Sequence, residues 1–403
     1  MSSESRSHPV WSPTVALRRS LPLMLAGVLG GLADGQALAA EHPELPRTIA
    51  WSAYPTGTSG YSQAVAIGSI LRREYGVNLR VIPGRNDVSR LATLLARRVH
   101  FSAGGSEAVY AQEGVLNFAA RTWGPQPLRI VLSNFSDSCS YTFGSAADAG
   151  IETVADMKGK RVTWVQGSPS LNNATNALLA YANLGWDDVE RVDVGGYNGA
   201  IDAVINGRAD VAGGSCNSPP FLRLEASPRG LKFVSFPHDD RAAVKRVRDL
   251  LPWYVDHVAT EGPTIPAQGI EVFTSAYPML VGLGEADDTL VYSLVKVMHE
   301  QYDDYAKSAP GASGWRLDSQ KFEAAFIPYH DAAIRYFREM GVWTDEAEAT
   351  QQANLHRQQV LLDAWEAFQA GAPRDPREYE SAWLAAREKA LSERGLLTLA
   401  DNL

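Results

Sequence analysis

Short apolar segments alternate with segments of helical periodicity through the first two-thirds of this 403-residue chain. That alternation restricts the fold more than any other feature. A strand, a covering helix and another strand lay consecutive strands side by side and parallel, with helices on both faces. Residues 48–52, 78–82, 99–102 and 128–133 read as strands, and 63–75, 87–96 and 106–112 as the helices between them. Asn86 or Asp87 caps the second of those helices. A second run begins after Cys139, with strands at 141–143, 161–165, 189–194, 209–213 and 231–236 and helices at 152–158, 172–183 and 200–206. The cadence then changes. Strands at 272–273 and 279–281 follow, the latter a candidate to return to the first sheet, and then helices at 289–302, 318–326, 331–340, 344–368 and onward to about 394. The class is α/β in two lobes, each a mostly parallel sheet flanked by helices. Lobe 1 is 41–137 with 256–343, lobe 2 is 138–255, a switch lies near 134–140, and a C-terminal helical extension, 344–403, packs as a brace.

The first forty residues read as an export signal. Arg18-Arg19 precedes an apolar stretch at 21–32, and Ala37-Leu38-Ala39 is a small-x-small cleavage site, placing the cut near residues 39–40. The Arg pair also admits a twin-arginine reading, which Ser20-Leu21-Pro22 fits poorly. The apolar stretch is shorter than the ~20 residues a spanning helix needs. A periplasmic location follows. The chain carries 37 Lys and Arg against 46 Asp and Glu, a net charge of −9. That balance disfavours nucleic acid and anionic lipid as partners, while a small anion remains open to a locally positive site. Cys139 and Cys216 satisfy either a disulfide or two buried thiols, and are too few for a metal cluster.

Catalytic signatures are missing. Gly104-Gly105-Ser106-Glu107-Ala108 fails the G-x-S-x-G elbow at its last position, and no H-E-x-x-H, Walker loop or G-x-G-x-x-G is present. His238-Asp239-Asp240 follows Pro237 and reads as a solvated turn. No enzyme activity, cofactor or metal is implied.

What the chain offers instead is polar loops at the C-terminal ends of strands, where open α/β sheets bind ligands. Thr56-Gly57-Thr58-Ser59-Gly60-Tyr61 follows the first strand and opens a helix, whose first amides have no intrahelical partner and sit at the positive end of the helix dipole. Pro83-Gly84-Arg85-Asn86-Asp87 follows the second strand, with Arg85 able to clamp a carboxylate. Ser168, Ser170 and Asn173 lie in the corresponding loop of lobe 2, and Ser215 and Asn217 in another. The candidate ligand contacts are Thr58, Ser59, Tyr61, Arg85, Asn86, Ser106, Ser168, Ser170, Asn173, Ser215 and Asn217. Gly195-Gly196-Tyr197-Asn198-Gly199 reads as a turn and cap, and Tyr54, Tyr61, Trp164 and Trp253 are either cleft walls or core.

Four stretches resemble the TAXI solute-binding proteins of TRAP transporters, over about residues 48–345. They are the Thr-Gly-x-x-Gly-Tyr element at 56–61, I-E-T-V-A-D-M-K-G-K-R-V at 151–162, N-G-R-A-D-V-A at 206–212 and I-P-Y-H-D-A-A-I-R-Y-F at 327–337. The resemblance implies a two-lobed periplasmic binding protein, type II-like. Such a protein captures a glutamate-like amino acid, a dicarboxylate or another small organic anion, and acts as a monomer feeding integral-membrane permease subunits. Two loops depart from the family pattern. Pro83-Gly84-Arg85-Asn86 stands where Thr-Gly-Gly-Ser is common, and Gly167-Ser168-Pro169-Ser170 where Gly-Ser-Gly-Thr is. The competing readings are an exported hydrolase on the same scaffold and a sensing subunit for a membrane kinase.

Overall fold

The computed structural model of the chain describes residues 43–135 and 138–399. The export signal at 1–40 lies outside these residues, as do positions 136 and 137 of the switch segment. Among the described residues no helix is long and apolar enough to cross a membrane.

The first run comprises β1 (Thr48–Ala53), α1 (Ser59–Tyr75), β2 (Asn78–Pro83), α2 (Asp87–Leu95), β3 (Phe101–Gly104), α3 (Glu107–Glu113) and β4 (Leu128–Ser133). Local chemistry sets the helix ends. Thr58 Oγ1 accepts from Tyr61 N–H at the head of α1, and Asn86 and Ser89 form a reciprocal capping box on α2. β1 and β3 are buried almost throughout, as strands covered on both faces must be.

The second run comprises β5 (Tyr141–Ala146), β6 (Arg161–Val165), α4 (Pro169–Ala180), β7 (Glu190–Val194), α5 (Tyr197–Ile205), β8 (Val211–Ser215), α6 (Pro219–Glu225), β9 (Leu231–Phe233), α7 (Arg241–Leu250), β10 (Val255–Ala259) and β11 (Ile270–Thr274). The chain then returns as β12 (Met279–Leu283) and continues through α8 (Asp288–Glu300), α9 (Tyr302–Tyr305), α10 (Asp331–Glu339), α11 (Asp345–Gln369) and α12 (Pro376–Ser392).

Two sheets result. The first has the order β2-β1-β3-β12-β4, parallel except for β12, which runs antiparallel between β3 and β4. The return of 279–281 to the first sheet is therefore observed. The second sheet is mixed. β7, β6 and β8 are parallel, while β5 pairs antiparallel with β8, β9 and β11, and β10 extends that edge. One boundary moves. β10 and β11 hydrogen-bond into the second sheet, so the return to lobe 1 comes after Thr274 and not at residue 256. β10 escapes a pattern reading because it is an edge strand, mostly half-exposed.

The two sheets are joined by two crossing segments, between β4 and β5 and between β11 and β12. These hold each other. Asn134 N–H donates to Pro278 C=O (2.8 Å) and Tyr277 N–H to Asn134 C=O (2.8 Å). The Asn134 side chain donates to Gly311 C=O (2.8 Å) and to Gln63 Oε1 (3.3 Å), fastening the crossing to lobe 1.

The C-terminal helices are a packed brace on lobe 1. Glu113, fully buried at the end of α3, accepts from Arg357 Nε and Nη2 on α11 (2.7 and 2.8 Å) and from Arg387 Nη2 on α12 (2.6 Å). Trp383 Nε1 donates to Gly114 C=O (2.6 Å), and Trp365 lies so close to Gly124 that a Cβ there would sit 2.4 Å from its ring. Removing one partner of a buried ion cluster costs roughly 3–5 kcal/mol, because the other charges stay buried without it. Glu113→Ala is therefore expected to lower unfolding free energy by about that amount. Urea titration checks it, and a loss below about 1 kcal/mol would mean the brace is not anchored there.

Candidate ligand cleft

A cleft opens where the two lobes face each other beside the crossing segments. The space between its lining atoms, counted with the solvent at its mouth, is about 670 Å³.

Lobe 1 contributes Ser59 and Gln63 from the first turns of α1, Gly105 and Ser106 from the loop before α3, and Gly311. Lobe 2 contributes Tyr141, Ser170, Leu171 and Ala174 from β5 and α4, Ser215 and Asn217 from the end of β8, and Tyr254. The crossings themselves supply Cys139, Ser140, Ser275 and Tyr277, beside Thr274 at the end of β11. Gln63 is committed internally, since its Nε2 donates to Pro310 C=O (2.7 Å) and its Oε1 accepts from Trp315 Nε1 (3.0 Å). Ser106 Oγ accepts from Trp253 Nε1 (2.9 Å). Ser59 is different. It is 2% exposed, lines the cleft, and its hydroxyl has no protein partner among the described residues. Its amide and that of Gly60 are first-turn donors of α1. The Ser215 hydroxyl donates to Asn217 Oδ1 (3.0 Å), leaving the Asn217 NH₂ as a donor.

Burial raises the pKa of Tyr141, Tyr254 and Tyr277 above the ordinary value near 10. All three are neutral hydroxyls at physiological pH. Cys139 and Cys216 form a disulfide, with Cα atoms 5.8 Å apart, that ties the first crossing to the loop after β8. Asn217 N–H approaches Cys139 Sγ at 2.9 Å, so this bridge shapes the wall that carries Ser215 and Asn217.

Behind the cleft lies a buried ion trio. Arg90 Nη2 donates to Asp87 Oδ1 (2.7 Å) and to Glu107 Oε1 (2.6 Å), and Glu107 Oε2 accepts from Gly105 N–H (2.6 Å). All three residues are at most 2% exposed. The Tyr54 ring lies 4.1 Å from the Arg90 guanidinium carbon. Asp87 Oδ2 accepts from Ser170 N–H (2.9 Å) and from the Ser170 hydroxyl, across the seam between the lobes.

Of the residues singled out in the sequence, Ser59, Ser106, Ser170, Ser215 and Asn217 line the cleft. The other six lie elsewhere. Thr58 is turned inward, donating to Pro55 C=O (2.8 Å), and Tyr61 lies in a separate depression with Gly57 and Val65. Arg85 is exposed and, with Asn86, lines a surface hollow beside Pro83 and Thr93. Asn86 Nδ2 also donates to Gln166 C=O (3.0 Å) of the opposite lobe. Ser168 is buried and makes no side-chain cap on α4, and Asn173 is buried on α4 beside Tyr110. The sequence reading passed over Tyr141, Tyr254, Tyr277 and the trio. The one local sign of the trio was Asp87 and Arg90 at helical i, i+3 spacing.

Two α/β lobes joined by two crossings around a polar cleft define the two-lobed fold of periplasmic binding proteins. The chain belongs to the NMT1-like family, whose sequence profile matches residues 52–341. Among solved structures it is similar to an ancestral arginine-binding protein bound to arginine, with 15% identity and a TM-score of 0.42 over 68% of this chain and 99% of that one. It is also similar to the periplasmic aliphatic sulphonate binding protein SsuA from Escherichia coli, at 15% identity and a TM-score of 0.42, covering 76% and 92% of the two chains. The alkanesulfonate-binding protein SsuA from Xanthomonas axonopodis pv. citri, bound to MOPS, matches at 12% identity and a TM-score of 0.38 over 75% and 96%.

Asp87 gives the site a pH signature. Burial, and then the charge of Glu107, push its carboxyl up to about 6, while Arg90 and Ser170 pull the other way. Arg90 and Glu107 are the charged neighbours, and Tyr54, Tyr110 and Tyr141 the titratable hydroxyls around it. The folded value lies above the unfolded one of about 3.9, so the folded chain binds more protons between them. This group's contribution to stability therefore falls as pH rises from about 4 to about 6 and is level above that. The stability of the native chain relative to Asp87→Asn is expected to decline across this window in urea titrations. Parallel profiles for the two proteins would contradict the assignment.

Proposed function

We propose that the protein is an extracytoplasmic solute-binding receptor that holds a small organic anion or amino acid between its lobes. The carrying observation is the cleft at the crossings, to which both lobes present polar side chains and lobe 1 adds the head of α1. A ligand there touches both lobes only when they are together, so closure and binding are one equilibrium. The moving bodies are 43–134 with 278–343, and 138–274, with the crossings as hinge strands. The free hydroxyl of Ser59 and the first-turn amides of α1 suit a carboxylate or similar oxyanion, with Ser215 and Asn217 facing it from lobe 2. The motifs shared with TAXI proteins support a TRAP-type permease as the membrane partner, with a monomeric receptor released from the inner membrane by signal cleavage. No chemical step is assigned to the chain.

A thermal-shift screen over carboxylates, sulfonates and amino acids tests this, because a ligand that binds only the folded state raises Tm. Calorimetry on a hit should then show Ser59→Ala and Asn217→Ala each weakening Kd by about tenfold, the worth of one hydrogen bond to a charged group. Arg85→Ala, outside the cleft, should leave Kd within about twofold. Unchanged affinity in both the Ser59 and Asn217 variants would place the site elsewhere.

A further inference from the structure

The seam between the lobes is closed by a carboxylate of the protein itself. Helix α4 begins at Pro169, which has no N–H to cap, and its N-cap residue Ser168 makes no side-chain hydrogen bond. The first amide in need of a partner is that of Ser170, and it finds Asp87 of lobe 1 at 2.9 Å, with the Ser170 hydroxyl on the same oxygen. Asp87 is thus an N-cap supplied from the other lobe. Its neighbours in sequence reinforce the contact. Asn86 Nδ2 donates to Gln166 C=O (3.0 Å) and Val88 N–H to Gly167 C=O (3.2 Å). Gly167, at φ 70°, has no room for a side chain, since a Cβ would lie 2.5 Å from Asn86 Nδ2. Ser170, Leu171 and Ala174, in the turns that Asp87 caps, are also the α4 wall of the cleft.

We propose that Asp87 is a positioning residue, an inter-lobe helix cap that holds the α4 wall in place and favours the closed arrangement before any ligand arrives. This rests on the reading of the lobes as moving bodies. In an opened molecule the end of α4 loses its cap while Asp87 keeps Arg90 on lobe 1, so the cap contributes only to the closed state. The ligand then meets a population already biased towards closure, and the fraction of competent molecules scales its apparent affinity.

The test uses the purified chain with no ligand added. In Asp87→Ala, Arg90 keeps its pair with Glu107 at 2.6 Å, so no buried charge is orphaned. Amide exchange at Ser170 and Leu171 is expected to quicken by at least about tenfold, with a rise in the radius of gyration by X-ray scattering. Sodium formate, a free carboxylate small enough to take the vacated place, should restore protection where sodium chloride of equal ionic strength does not. Ser170→Ala, which keeps the main-chain donor and loses the hydroxyl, should quicken Leu171 exchange by a smaller factor. Unchanged exchange in both variants would overturn the proposal. So would an opening that formate and chloride leave alike, since that marks lost packing and not a lost carboxylate. Because the variants are compared without solute, and formate that protects the unaltered chain just as well would mark binding in the cleft and overturn the cap, a negative result leaves the receptor reading standing, and a failed ligand screen leaves the cap standing.

Discussion

Two carboxylates and one guanidinium are buried together behind the cleft, and the walls of the cleft depend on them. Burying such charges is costly unless each is paired and its remaining hydrogen-bonding capacity filled. Here Arg90 serves both Asp87 and Glu107 through Nη2 and stacks on Tyr54, its Nε left without a partner among the described residues, while the second oxygen of Glu107 takes Gly105 N–H and the second oxygen of Asp87 takes Ser170. The last two contacts set geometry. One fixes the Gly105-Ser106 loop on lobe 1, the other fixes the head of α4 on lobe 2. A single ion cluster thereby reaches both sides of the space between the lobes, without lining that space itself.

The described lining of the cleft is made of neutral groups. It consists of tyrosines kept protonated by burial, serines and an asparagine beside the head of α1, dipoles with no full charge among them to bind too tightly or to attract a solvent ion. Such a lining suits the receptor we propose, which has to release what it captures. The disulfide and the paired crossings lie at the same end of the cleft, so the wall carrying Ser215 and Asn217 is braced where the two lobes meet.

Much of this architecture was legible in the chain. Periodicity and cap chemistry locate the strands of both runs apart from β10, a cap at Asn86 or Asp87, a candidate return to the first sheet at 279–281 and the packed tail, because each is decided by local pattern or local chemistry. The misplacement of β10 and β11 has a plain cause: nothing in the half-exposed edge strand β10, or in the short β11 that it pairs with, says which sheet they extend. At the site, five of the eleven candidates taken from hydroxyl-rich loops line the cleft. Arg85 drew attention as the cation in a glycine-bearing loop, yet the arginine that organises the region is Arg90, one turn along α2 and paired with a carboxylate 17 residues away. Ser168 stands where a cap belongs, and the cap comes instead from residue 87, a tertiary fact that no local pattern carries. The pairing of Cys139 with Cys216, 77 residues apart, is of the same kind.

The central claim is that a small solute is held by both lobes in the cleft at the crossings. A crystal structure with a solute that raises Tm addresses it most directly. The account predicts density between Ser59 of lobe 1 and Ser215 of lobe 2, with an anionic group within hydrogen-bond distance of the first-turn amides of α1. Density confined to one lobe, or seated in the hollow beside Arg85 with the cleft left to water, would contradict it.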